Sequence, residues 1–382
     1  MNTTPHWMDE EHVMLGDATQ RFLEAELVPH MDRWRSDGIV GRDFWLKAGD
    51  AGLLGASIPE AYGGAGGNLA HDAVVCLEHA RTADSGWGWG VHNICTHYLV
   101  RYGSDEQKQK WLPKLATGEI VPSIAMSEPG TGSDLQAIQT HAVRDGDEYV
   151  INGSKTFITN GQSSDIVIVV TKTDRGAGAH GVSLIVVETA ETPGFRRGRN
   201  LEKLGMKAQD TSELFFEDVR VPVANLLGPA EGQGFKQLMM QLPWERLIIA
   251  IMAVGFSERI LAETLTYVKE RKAFGNRIMD FQNTRFKLAE CKTKLEVTRS
   301  FVNDCIEKVI PGELDAATAS MAKWWGAQIQ CEIADECLQL HGGYGYMMEY
   351  PIARYYADSR AQQIYGGTRE IMKELIARSL DD

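Results

Sequence analysis

No stretch of this sequence reaches the run of about 18 apolar residues that a membrane-spanning helix needs, and it shows no internal repeat and no low-complexity segment. Positive charge is in deficit, with 39 Lys and Arg against 52 Asp and Glu and a net charge of −13. Such a surface repels phosphate backbones and anionic headgroups, so nucleic acid and anionic membrane are not expected as main partners. Cysteine is sparse: Cys76, Cys95, Cys291, Cys305, Cys331 and Cys337 are scattered without a C-x-x-C spacing. In 382 residues that predicts buried free thiols in a reducing compartment, not a disulfide framework. A secretory leader would begin with basic and then apolar residues, but here Asp9, Glu10 and Glu11 stand near the start. The expected compartment is cytoplasmic, of bacterial type, with a mitochondrial presequence removed ahead of this numbering as the alternative.

What is present is an ordinary globular composition, 43% hydrophobic and 24% charged, in a chain long enough for two or three cored domains. Three regions differ in period. Residues 1–121 read as an N-terminal α-helical domain, with Val13, Leu15, Phe22, Leu23 and Leu27 at near-helical spacing before Pro29. Ser104 and Gln107 fit a capping box that opens a helix stopping near Pro113. Residues 122–228 shift to strand-like runs such as 165–170 and 182–187, with Asp145-Gly146 and Asn152-Gly153 as turn signals. From 229 to 382 helical patterning returns. The 247–254 stretch is apolar all round, and separate long helices follow over 258–271, 282–309 and 316–340. The expected fold is α+β: an N-terminal all-α domain, a middle antiparallel β-barrel or sandwich, and a C-terminal antiparallel helical bundle.

The most unusual local chemistry lies between Ala125 and Gly161. Pro129, Gly130 and Gly132 break regular structure among the short oxygens of Ser127, Thr131, Ser133 and Asp134. Asn152-Gly153 predicts a two-residue hairpin turn, with Thr156-Phe157-Ile158 on the outgoing strand. Backbone N–H groups, hydroxyls and one aromatic would seat a flat, phosphate-bearing cofactor; the competing reading is a plain surface loop. His71, His79, His92, His97, Cys76 and Cys95 crowd one region, but no zinc spacing is present and no metal is expected. Arg196, Arg197, Arg199 and Lys203 read as a solvated face, with a phosphate contact as the alternative.

Both the 125–134 loop with 152–161 and the later run Cys337-Leu338-Gln339-Leu340-His341-Gly342-Gly343-Tyr344-Gly345-Tyr346 resemble signatures of the acyl-CoA dehydrogenase family, closest to its long-chain branch. The resemblance runs in order along nearly the whole chain. It implies FAD as cofactor and an acyl-CoA substrate that is desaturated between its α and β carbons. It also implies an electron-transfer flavoprotein as electron acceptor and a homotetramer built as a dimer of dimers. By that resemblance Met126, Ser127, Gly132, Ser133, Phe157, Ile158 and Thr159 hold the flavin, and Ser133 also reaches the substrate. Arg271, Phe274 and Gln282, completed by Gln339, Leu340, His341, Gly342 and Gly343, hold the far end of a neighbouring subunit's FAD. Thr368 and Glu370 match residues after the base loop that touch FAD.

Proton removal next to a thioester needs a base and a donor to the carbonyl oxygen. Family members place the base either in a Tyr-Glu-Gly-Thr run or at a Glu-Arg-Leu step. Here the first is Tyr365-Gly366-Gly367-Thr368, without a carboxylate, and the second is intact at Glu245-Arg246-Leu247. Glu245 is also notable by itself, a lone acid entering an apolar helix where burial raises a carboxyl's pKa; a pair with Arg246 is the structural alternative. The expected roles are Glu245 as base and Gly366 as backbone N–H donor, with Pro243, Arg246 and Gly367 lining the substrate site. Trp244 is expected to reshape the acyl pocket, and Gly366 to leave room for long or branched chains. A flavin-dependent oxidase or monooxygenase on the same scaffold is the second expected function, and a catalytically silent flavoprotein the third.

Overall fold

The computed structural model describes residues 4–190 and 192–381. Six helices come first: α1 (Glu10–Glu26), α2 (Met31–Asp37), α3 (Arg42–Asp50), α4 (Leu69–Arg81), α5 (Trp89–Tyr102) and α6 (Asp105–Ala116). Ser104 and Gln107 form the reciprocal cap of α6. The helix runs on past Pro113 to Ala116, contrary to the expected stop, because the carbonyl of residue 109 is the only acceptor that a proline at 113 deprives of its partner.

Strands β1 (Pro122–Ala125), β2 (His141–Asp145), β3 (Glu148–Thr159), β4 (Ile166–Lys172), β5 (Val182–Glu188), β6 (Phe195–Asn200) and β7 (Thr211–Pro222) form one seven-stranded sheet. Its pairings are antiparallel except where β4 meets β1 and β2 in parallel. The β4 side chains alternate between two cores. Ile166, Ile168 and Val170 pack with Tyr98, Leu99, Trp111 and Leu112 of the helices, while Val167 and Val169 pack inside the sheet layer.

Asn152-Gly153 does not turn the chain. Both residues lie inside β3, at a register shift against β7 between Ile151 and Gly153. A Cβ on Gly153 would lie 2.4 Å from Thr140 Oγ1, and the Asn152 amide exchanges two 2.9 Å hydrogen bonds with Asp218. The glycine therefore marks a bulge and a close approach. The true hairpin turn is Gly146-Asp147, between the paired Asp145 and Glu148, with Gly146 at φ +63°.

The stretches 247–254 and 258–271, expected as separate helices, are one: α7 runs unbroken from Gly234 to Glu270. Two short strands follow, β8 (Lys272–Ala273) and β9 (Asn276–Arg277), then α8 (Gln282–Val309), α9 (Ala316–Leu340), α10 (Pro351–Ser359) and α11 (Arg369–Arg378). One hydrophobic core spans α1, α3, α4, α7, α8 and α9, so N-terminal and C-terminal helices share an interior. Among the described residues no helix is long and apolar enough to cross a membrane.

Five of the six thiols are buried and Cys331 is half-buried, all unbridged. Two of the histidines of the first region are paired with carboxylates: His79 meets Asp84 at 3.0 Å and His97 meets Asp72 at 2.8 Å. The basic cluster on β6 is not uniformly solvated. Arg197 is half-buried and donates to the carbonyls of Gly161 and Ser164, whereas Arg199 is exposed.

Candidate active site

Glu245 sits about a third of the way along α7, 6% exposed, and accepts a 2.8 Å hydrogen bond from Tyr98 Oη on α5. Burial pushes its carboxyl up to about 7, opposed by that hydrogen bond and by the charge of Arg246. The expected pairing alternative does not form. Arg246 turns to α9, where its guanidinium donates to Ser320 Oγ at 3.3 Å. Burial lowers the Arg246 pKa, and its Nε is buried without a partner.

One turn along α7 from Glu245 stands Ile249. A Cβ built on Gly366 would lie 2.4 Å from Ile249 Cδ1. The structure thus brings Glu245 and Gly366 to the same stretch of α7, as expected. It corrects a second expectation, because Ile249 takes the space that a missing Gly366 side chain was expected to leave. Gly366 and Gly367 adopt φ +65° and +95°, which only glycine takes without strain. The Trp244 indole donates to Asn93 Oδ1 at 2.9 Å and packs edge-on to His97, which holds it against α5. Pro243 leaves a gap in the α7 ladder. Around it, Arg101 and Tyr102 of α5 donate to the carbonyls of Met240 and Gln237.

The loop after β1 is braced from below. Lys155 Nζ, fully buried, donates to Met126 O and Glu128 Oε1 at 2.9 Å each, and Glu128 accepts from the backbone of Gln139 and Thr140. Thr156 N donates to Ser127 O at 2.9 Å. Burial draws Lys155 down to about 8, while the Lys155 charge and the backbone donors hold Glu128 low despite its own burial, so the pair is charged at neutral pH. A second register shift in β3, between Lys155 and Ile158, throws Phe157 outward at φ +61° and 71% exposed. A bulky residue at positive φ is strained, and such strain collects at functional positions. Thr159 is half-buried nearby, while the Ile158 side chain is buried in the sheet and leaves only its backbone available. Gly132 and Ser133 are exposed, and a Cβ on Gly132 would meet nothing within 4 Å. An open ledge of hydroxyls and backbone beside an exposed aromatic fits a flat, polar-edged ring system.

A second cluster forms elsewhere. The Arg271 guanidinium lies 5.5 Å from the Tyr344 ring centroid, and Tyr267 stacks on His341 at 4.1 Å, which ties the end of α7 to the turn after α9. His341 faces inward and bonds Cys337 O at 2.8 Å. Gln339, Gly342 and Gly343 are exposed around this turn and Leu340 is half-buried; Phe274 and Gln282, after Arg271 in the chain, are also exposed. Thr368 caps α11 through Ile371 N, and Glu370 is exposed and paired with Arg369. Tyr98, Lys155, Glu128 and Lys323 carry no expectation from sequence. Of these, Lys155 had a readable signal: a lysine between the strand-like residues of a supposed hairpin, facing the loop's lone glutamate.

A helical core around a buried carboxyl, joined to a curled sheet that carries an open loop, is the acyl-CoA dehydrogenase architecture, and the chain belongs to that family. Its N-terminal, middle and C-terminal domain models match residues 9–119, 123–219 and 232–380. Among named relatives, the mitochondrial long-chain specific acyl-CoA dehydrogenase of Sus scrofa is 50% identical over 373 residues, 97% of this chain and 86% of that one. The crystal structure of acyl-CoA dehydrogenase from Geobacillus kaustophilus is 49% identical, with a TM-score of 0.97 over 99% of this chain and all of that one. A glutaryl-CoA dehydrogenase from Mycobacterium smegmatis in complex with FADH2 is 29% identical, with a TM-score of 0.91 over 98% of this chain and 95% of that one.

Proposed function

We propose that this enzyme desaturates long-chain acyl-CoA thioesters with FAD and hands the electrons to an electron-transfer flavoprotein. The observation that carries the reading is Glu245: a buried carboxyl poised at about 7 and oriented by Tyr98, in a chain half identical to a long-chain specific relative. Bound FAD would supply the acceptor for the hydride, with its two electrons, that leaves the β-carbon.

Glu245 takes the α-proton, and its raised pKa narrows the gap to that weak carbon acid. Gly366 donates its backbone N–H to the thioester oxygen, a role that needs no side chain. Ser127, Ser133, Phe157 and Thr159 hold the ring system, and Met126 and Gly132 shape its edge. Arg271, Phe274, Gln282 and residues 339–343 hold the far end of a neighbouring subunit's cofactor, so the active unit is at least a dimer. Residues 1–121, 122–228 and 229–382 are the three domains of each subunit.

The test is anaerobic bleaching of the bound flavin across a panel of acyl-CoA thioesters, with electron-transfer flavoprotein as the acceptor in turnover. Fastest bleaching with long chains supports the reading, and a four-carbon preference removes its substrate part. Rapid oxygen consumption by the reduced enzyme would make it an oxidase. Light scattering that showed an active, FAD-loaded monomer would remove the shared site.

A further inference from the structure

Lys323 on α9 is fully buried, and its Nζ donates to the carbonyl of Gly367 at 2.5 Å. The same side chain passes the neighbouring residue: a Cβ on Gly366 would be 3.9 Å from Lys323 Cε. One turn earlier on α9, Ser320 accepts from Arg246, whose Nε is buried without a partner. Among the described residues neither cation has a carboxylate within 4.0 Å. Burial draws the Lys323 ammonium down to about 8, and the Arg246 charge draws it the same way; Glu370, at the exposed start of α11, opposes them.

A buried cation without a counter-ion is costly. It is retained where a negative charge arises during function. Proton removal moves such a charge. At the outset the anion is the Glu245 carboxylate, beside Arg246. The α C–H bond breaks, its proton goes to Glu245, and its electron pair ends on the thioester oxygen, which faces Gly366. The negative charge has then moved from Glu245 to the oxygen that faces Gly366, whose neighbour Gly367 is held by Lys323, with no change in total charge.

We infer that Lys323 is a positioning residue for this step, holding the Gly367 carbonyl so that Gly366 N–H faces the thioester oxygen and setting a positive charge where the enolate forms. The inference rests on the dehydrogenase reading. It deepens that reading by naming a residue that acts through the glycine loop and touches neither substrate nor cofactor.

A thioester with sulfur at its third position separates the two events, because it has an acidic α-proton but no β-hydride to give. We would titrate the FAD-loaded enzyme with 3-thiadodecanoyl-CoA and follow the long-wavelength band of an enolate stacked on oxidised flavin. Flavin reduction by dodecanoyl-CoA is measured beside it. Lys323→Met should retain FAD and bind the thioester while losing most of the band. Its limiting rate of flavin reduction should fall about 10²-fold, as for loss of an oxyanion donor, with KM little changed. Lys323→Gln keeps a neutral donor and should fall roughly tenfold. A band and rate of wild-type size in either variant would overturn the inference, and if Lys323→Met does not fold, Lys323→Gln alone decides it. A wild-type enzyme that shows neither band nor reduction with acyl-CoA would overturn the dehydrogenase reading, and the inference with it.

Discussion

Tyr98 and Glu245 lie 147 positions apart in sequence, yet their side chains meet in a buried 2.8 Å hydrogen bond. The contact joins α5 to α7 and holds the carboxyl in one orientation. It is charge-assisted when Glu245 is ionised, so it favours the carboxylate over the acid.

Glu245→Gln should retain FAD and bind acyl-CoA but lose flavin reduction by about 10²–10⁴-fold, the range for a general base. Stopped-flow reduction under nitrogen measures this, and a near-normal rate would remove Glu245 as the base. The same variant has a stability signature. Glu245 has a folded pKa raised from 4.5 to about 7, so its contribution is complete below about pH 4.5 and is lost as pH rises through 7. At pH 8 its charge costs the fold up to about 3 kcal/mol, and the amide carries no such charge. The Tm at pH 8 should be unchanged or higher in the variant.

The pH profile of kcat/KM should have an acidic limb near 7, because only the ionised base is active. Tyr98→Phe removes a donor to the carboxylate, so the limb should move to higher pH. A limb that stays in place would show that Tyr98 does not tune the base.

Moving the base to the glycine loop should give little recovery by itself. Glu245→Gly with Gly366→Glu puts a side chain at φ +65°, 2.4 Å from Ile249 Cδ1. The backbone alone costs about 1–3 kcal/mol there. Adding Ile249→Ala removes the clash, so the triple variant should reduce flavin faster than the double. Equal rates would show that Ile249 is not the obstacle.

Lys155→Met strips the partner from a buried carboxylate and should cost about 3–5 kcal/mol. The loss should appear as a lower Tm and as weaker FAD retention, since Met126 and Ser127 lose their brace. Replacing Glu128 as well, with Gln, should recover part of the Tm. Unaltered FAD retention in Lys155→Met would detach the brace from the cofactor.

Local pattern was enough for much of this. The bounds of α8 and α9, the cap at Ser104, the strands read over 165–170 and 182–187 and the isolation of Glu245 in an apolar helix are all legible, because periodicity and burial cost act within a few residues. Asn152-Gly153 misled for the same reason. An Asn-Gly pair permits a tight turn, but Thr140 and Asp218, distant in sequence, made it a bulge in a continuous strand. Gly366 was read as leaving space beside the base, whereas Ile249 fills the gap, and the Asn93 partner of the Trp244 indole had no local signal. What the amino-acid order carried alone is the set of candidate groups and most of the elements that bear them. Their surroundings were decided by tertiary structure. Tyr98 against Glu245, Lys155 under the loop and Lys323 behind Gly367 are contacts between segments far apart in the chain, and only the packed fold selects which of many possible partners each buried charge meets.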